Sequence, residues 1–352
     1  MTMQNFENQR NRSIVIWLGL MCIAIVTMIF IGGLTRLTES GLSITEWNPI
    51  SGVIPPLTEA DWQIEFDKYK KSPEYLKHNL GMNVSEFKDI YLLEFIHRIA
   101  GRITGLLYIL PLMFFFIRGY IKKPESYIYI LATALLGMQG FMGWYMVKSG
   151  LVSDPHVSHY RLAAHLMFAV FLYIIMFWQM MRHCVSRRVT SSNINIRPIY
   201  NWCLLSIVLL LVQMMLGAFV AGLDAGLLYN DFPMMGDRFV PYELLSNSLS
   251  FASLEDTVFI QFIHRIMAYI LVLVVGIFSW KSISFGDRNL TISTWFVLAA
   301  VILQMCLGIM TLLYQVPIIL AILHQLGAVL LLSCLLRAFF LIKSFVDYKK
   351  YE

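Results

Sequence analysis

The sequence predicts an all-α integral membrane protein of eight transmembrane helices, arranged as two pseudo-symmetric four-helix bundles. Three observations carry that prediction. Hydrophobic residues make up 58% of the 352 and charged residues only 14%, a balance outside that of ordinary soluble domains. The charges cluster, leaving eight long apolar runs; about 20 residues at 1.5 Å rise per residue cross a hydrocarbon core of roughly 30 Å. Finally, Phe95-Ile96-His97-Arg98-Ile99 in the second run returns as Phe262-Ile263-His264-Arg265-Ile266 in the sixth.

The first run, 14–34, follows a short polar start and has no small-residue cleavage site, so it is expected to be a retained helix. A long external loop, 35–89, leads to the second run at 90–117. Arg118, Lys122 and Lys123 separate that run from the third at 127–147. The fourth spans 160–181, and Arg182, Arg187, Arg188 and Arg197 mark a basic linker at 183–198 before the fifth at 199–221. A second long loop precedes the sixth run at 257–280. Lys281 and Arg288 lead to the seventh at 291–314, and the eighth, 317–342, stops before Lys349 and Lys350. With Arg10 and Arg12 at the start, the basic residues fall on alternate connections. Because short basic connections stay on the cytoplasmic side, both termini are expected there. The domain organisation is then a bundle over 1–182, the cytoplasmic linker, and a bundle over 199–352.

A net charge of +5 does not point to nucleic acid, since the basic residues flank spans and form no stripe. The five cysteines, Cys22, Cys184, Cys203, Cys306 and Cys334, avoid the predicted external loops, which argues against a disulfide framework. The 20 methionines have no ligand-like spacing and read as packing. The combination suggests a bacterial inner membrane protein.

Four of the eight histidines, His97, His165, His264 and His324, sit inside apolar runs; His78, His156, His159 and His183 lie at the edges or in loops. An imidazole in hydrocarbon is costly and requires a partner. A lone one is more often bonded to a neighbouring helix. Four, one on each even-numbered span and all near the outer end, instead suit two pairs of facing axial ligands for haem iron. Each has a small residue one turn on (Gly101, Ala169, Ala268, Ala328), which gives a porphyrin clearance and also serves plain helix packing. Both sites would lie on the outer, periplasmic side, a poor arrangement for carrying electrons across the bilayer.

The two halves differ at one position: Glu94 precedes His97 where Gln261 precedes His264. At three residues' spacing the carboxylate and the imidazole share a helix face. That suggests one reactive half and one supporting half, with an i,i+4 pair between Glu94 and Arg98 as the plainer alternative. Arg98 and Arg265 have three candidate roles: haem propionates, acidic loop residues, or snorkelling to the interface. Arg36, Arg161 and Arg238 are equally good propionate candidates.

The ordered motifs Gly32-Gly33-Leu34-Thr35-Arg36-Leu37-Thr38-Glu39-Ser40-Gly41-Leu42-Ser43, Glu46-Trp47-Asn48-Pro49, Glu94-Phe95-Ile96-His97-Arg98, Arg161-Leu162-Ala163-Ala164-His165, Phe262-Ile263-His264-Arg265 and His324-Gln325-Leu326-Gly327 resemble those of the haem A synthase family over nearly the whole chain. The resemblance is to the class without a cysteine pair in the external loops. It implies oxidation of the C8 methyl group of haem O to a formyl group by successive hydroxylations, which supplies haem A for terminal oxidases. It further implies that His97 and His165 flank the substrate, that Glu94 is the catalytic carboxylate, and that His264 and His324 ligate a resident haem b. Haem O synthase, an electron-transfer partner, the lipid bilayer and a second copy of the chain are the partners it suggests. The competing reading is a non-catalytic dihaem cytochrome or haem carrier.

Overall fold

In a computed structural model, residues 3–47, 52–121, 123–151, 155, 157–184, 196–246 and 251–348 are described. Each apolar run becomes a helix that outlasts it, because backbone hydrogen bonding continues past the hydrocarbon into the interface. The eight are α1 (Met3–Leu37), α4 (Val84–Ile117), α5 (Lys123–Gly150), α6 (His159–Cys184), α7 (Arg197–Gly222), α9 (Thr257–Ser284), α10 (Arg288–Leu313) and α11 (Ile318–Tyr348). All eight are long and apolar enough to cross a membrane. Large apolar side chains on them point outward, among them Ile23, Leu110, Ile117, Leu273, Trp280 and Ile302. Such a surface needs lipid, since a soluble bundle of this length would expose broad apolar patches to water. Among the described residues there is no strand, only one isolated bridge between Met235 and Arg238.

The extra length has local causes. Asn83 caps α4 in a reciprocal capping box with Glu86, which moves the start of that helix ahead of the predicted 90. Asp256 and Asp287 cap α9 and α10 by accepting from backbone N–H groups of their first turns. The expected loop 35–89 contains two short helices, α2 (Glu59–Tyr69) and α3 (Pro73–Lys77). A Thr58–Asp61 capping box starts the first, and Ser72 with Pro73 at N1 starts the second. Trp62, Phe66 and Tyr69 of α2 pack on Phe87 and Tyr91 of α4, with Tyr69 and Phe87 stacked 5.1 Å apart. The second long loop carries α8 (Tyr242–Ser246) and two short 3₁₀ turns. Most of the linker 183–198 lies outside the described residues, as do Asn48, Pro49, Lys122, His156, Lys349 and Lys350.

The chain divides into two compact units, one of Leu20–Tyr173 and one of Met1–Gly19 with Ile174–Glu352. In the first, the buried Tyr108 of α4 donates from its hydroxyl to the Tyr129 carbonyl of α5 at 2.7 Å. In the second, four helices close a cycle: α7 on α9, α9 on α10, α10 on α11, and α11 back on α7. Ser282 and Thr294 share a 2.7 Å hydrogen bond between α9 and α10, and Arg337 reaches Ser293 between α11 and α10. All five cysteines are free thiols, and each lies on a helix.

One buried carboxyl stands in the segment between α1 and α4. Glu74 of α3 is 6% exposed, and its Oε2 has no hydrogen-bond partner. Burial pushes its pKa up to about 8, with the carboxylates of Glu94 and Glu39 adding to the shift. A raised carboxyl binds more protons folded than unfolded, so its contribution to stability is full below the ordinary carboxylate range and is lost as pH rises through about 8. Glu74→Gln should therefore stabilise the protein more at pH 9 than at pH 5, as read by thermal unfolding in detergent. An equal change at both pH values would contradict this placement of Glu74.

Candidate functional site

The four intramembrane histidines fall on α4, α6, α9 and α11, and all are half-buried. They sort by unit. His97 and His165 belong to Leu20–Tyr173 and lie within electrostatic range of each other; His264 and His324 belong to the other unit and do likewise. The remaining histidines sit elsewhere: His78 ends α3, His159 begins α6 against Tyr160, and His183 is in the last turn of α6.

Each imidazole lies across a glycine of the preceding membrane helix. A Cβ on Gly32, Gly143, Gly217 or Gly308 would stand 3.2, 3.8, 3.3 or 2.8 Å from the Cε1 of His97, His165, His264 or His324 respectively. Three of the four helices also supply a glutamine. Gln139 Nε2 donates to the His165 carbonyl at 2.9 Å, Gln213 Nε2 to the His264 carbonyl at 3.0 Å, and Gln304 Nε2 to the His324 carbonyl at 2.9 Å. Gln213 and Gln304 also bring that nitrogen to 3.2 and 3.1 Å from the Nδ1 of their histidine. Interhelical hydrogen bonds of this kind contribute about 0.6 kcal/mol on average inside a bilayer.

The sequence gives a partial signal for this arrangement. The echo between Gln139/Gly143 and Gln304/Gly308 is visible once the halves are aligned. Gln213 and Gly217 escape because they are found only by looking for the same glutamine-to-glycine step one helix before every histidine, and Gly32 escapes even that, having Met28 in the glutamine's place. Thr35 is also new. Its hydroxyl donates to the Ile31 carbonyl at 2.8 Å, and its oxygen is left to accept from His97 Nδ1 at 3.4 Å.

Glu94 is 3% exposed and fully hydrogen-bonded. Its Oε2 accepts from Ser43 Oγ at 2.7 Å and from the Ile44 backbone N–H at 2.8 Å. Its Oε1 accepts from Arg98 Nε at 3.0 Å and Nη2 at 2.6 Å, the i,i+4 pair that was the plainer alternative. Arg98 extends to the Ile44 and Glu46 carbonyls, both at 2.9 Å, and stacks over Trp47. Arg265 repeats this in the other unit, donating to the carbonyls of Tyr229, Asp231 and Met234 at 2.7–2.9 Å. Gln261 donates to Tyr229 as well, at 3.0 Å. Both arginines thus anchor the segment after the preceding membrane helix by its backbone, a role outside the three that the sequence suggested. Of the other basic candidates, Arg161 lies over the Tyr145 ring and Arg238 over Tyr242, while Arg36 is in the last turn of α1.

Two imidazoles per unit, each on a helix surface cleared by a glycine, are donors of the kind that would hold a haem iron. His165 Nδ1 is buried with no hydrogen-bond partner, an unsatisfied polar atom that coordination or a bound group would explain. Among the described residues no three His, Cys, Asp or Glu side chains gather as a metal cluster, and a porphyrin requires no such cluster.

The comparisons agree with that chemistry. The cytochrome oxidase assembly protein family profile matches residues 15–336. The chain is 48% identical over 328 residues to the heme A synthase of Rickettsia bellii, covering 93% of this chain and 98% of that protein. It is 48% identical over 335 residues to the heme A synthase of Rickettsia akari, at 95% and 99% coverage. Against the heme A synthase of Rickettsia rickettsii it is 47% identical over 329 residues, at 94% and 98%. The chain belongs to the cytochrome oxidase assembly protein family.

Proposed function

We propose that this protein is a haem A synthase, a membrane oxidoreductase that converts the C8 methyl group of haem O to a formyl group. The observation that carries the reading is the set of four glycine-backed histidines, two per unit, in a chain similar to heme A synthases over nearly their full length. Conversion of a methyl to a formyl group removes two hydrogens from the carbon and adds one oxygen, a four-electron oxidation. Two hydroxylations accomplish this, because the resulting gem-diol loses water. The iron porphyrin supplies the redox chemistry, so the protein has to bind it, orient the methyl edge and handle protons.

His97 and His165 hold the substrate haem O in the N-terminal bundle, 1–182. His264 and His324 hold haem b in the C-terminal bundle, 199–352. Glu94 is the catalytic carboxylate, and its four hydrogen bonds to Arg98, Ser43 and Ile44 support a fixed position for it. In the other half Gln261 sits at the same motif position without a carboxylate, which supports a division into a reactive site and a resident one. The protein lies in a bacterial inner membrane with both termini cytoplasmic. Arg118, Arg182, Lys281 and Arg288 support this topology, since all four stand at helix ends on that side. Both haem sites then face the periplasm, and haem O arrives from the bilayer, handed on by haem O synthase.

Glu94→Gln should leave cells supplied with haem O accumulating it, with haem A falling about a hundredfold or more. Pigment extraction and mass analysis measure this; unchanged haem A would favour a non-catalytic haem carrier. His324→Leu should remove the bis-histidine low-spin spectrum of haem b from the purified protein while haem O still binds. Retention of a full haem b spectrum would exclude His324 as its ligand.

A further inference from the structure

At three of the four histidines a glutamine stands four residues before the glycine that backs the ring: Gln139 and Gly143, Gln213 and Gly217, Gln304 and Gly308. At that spacing the two share one helix face. The carboxamide therefore ties down the backbone of the histidine while the glycine receives its ring. At the fourth, the residue four before Gly32 is Met28. A thioether has no hydrogen to donate. The Met28 methyl packs instead against Gly101, one turn beyond His97, where an added Cβ would meet it at 3.7 Å. Among the described residues no side chain donates to the His97 carbonyl, and the ring's one hydrogen-bond contact is with Thr35 at 3.4 Å.

The exception falls in the pair assigned to the substrate. Both histidines of the resident pair are tied, whereas the substrate pair has one tied histidine, His165, and one untied, His97. A resident haem must stay through many turnovers, while a substrate haem must arrive and its product must leave. We propose that Gln139, Gln213 and Gln304 are positioning residues that lock their histidines, and that Met28 leaves His97 as the releasable ligand through which haem O is admitted and haem A discharged. This rests on the haem reading above. Methionine suits the place, because an unbranched, polarizable side chain keeps contact while the helix beside it shifts.

The test uses the purified, haem-loaded full-length protein. Haem loss to excess apomyoglobin is followed by absorbance, and the captured pigment is identified as haem O or haem b by mass. Met28→Gln should slow loss of haem O about two- to tenfold, the worth of one such hydrogen bond, and Met28→Leu should not. Gln139→Met should accelerate haem O loss by a similar factor. Gln213→Met and Gln304→Met should accelerate loss of haem b and reduce its low-spin fraction without altering haem O release. Haem-loaded variants whose rates and spectra all match the parent would overturn the lock alone. A protein that carries no haem would overturn the haem reading and the lock with it.

Discussion

A polar side chain in hydrocarbon has no water to fall back on, and the rest of this structure is arranged around that constraint. Each membrane histidine is accommodated by the helix before it, through a glycine that lets the ring approach and, in three cases, an amide that meets the carbonyl. Those contacts set which helices neighbour which. The pairs α5–α6, α7–α9 and α10–α11 are each joined at the histidine. Packing alone would not specify these partners, because lipid tails are as apolar as the side chains they compete with.

The segments that follow α1 and α7 obey a second rule. Arg98 and Arg265 are single residues that gather several carbonyls from the segment leading away from the preceding membrane helix. Around Arg98 the network also includes Glu94, Ser43 and the Ile44 amide, so the carboxylate is part of the wall between α4 and the segment that follows α1. The aromatic cluster of Trp62, Phe66, Tyr69, Phe87 and Tyr91 continues that wall outward. The acid is thus fixed from both sides, by its own helix and by the segment folded over it.

Much of the fold was legible because lipid imposes a simple code: apolar runs of sufficient length are helices, and all eight were found in the expected order. Their ends were less legible. The Asn83 and Asp256 caps lie in polar sequence, where length in hydrocarbon gives no guidance and only short-range capping patterns do. Helices α2 and α3 were missed for the same reason, although Thr58 with Asp61 and Ser72 with Pro73 are the start signals of ordinary soluble helices. The histidines were conspicuous because their chemistry is unusual for their surroundings. Gln213 was not, since a lone amide in an apolar helix has many uses, and only its contact with His264 distinguishes them. The Glu94–Arg98 pair was legible from spacing, but the grip of Arg98 on backbone carbonyls was not, because carbonyls leave no mark in a sequence.

That grip has an evolutionary consequence. Every residue offers the same carbonyl, so an anchor that holds the main chain is indifferent to which side chains the held segment carries. The segments beneath Arg98 and Arg265 could drift far apart in sequence and length while both remained clamped. Segments held by such an anchor are free to diversify in side chains and in length, because the arginine keeps hold of the main chain alone.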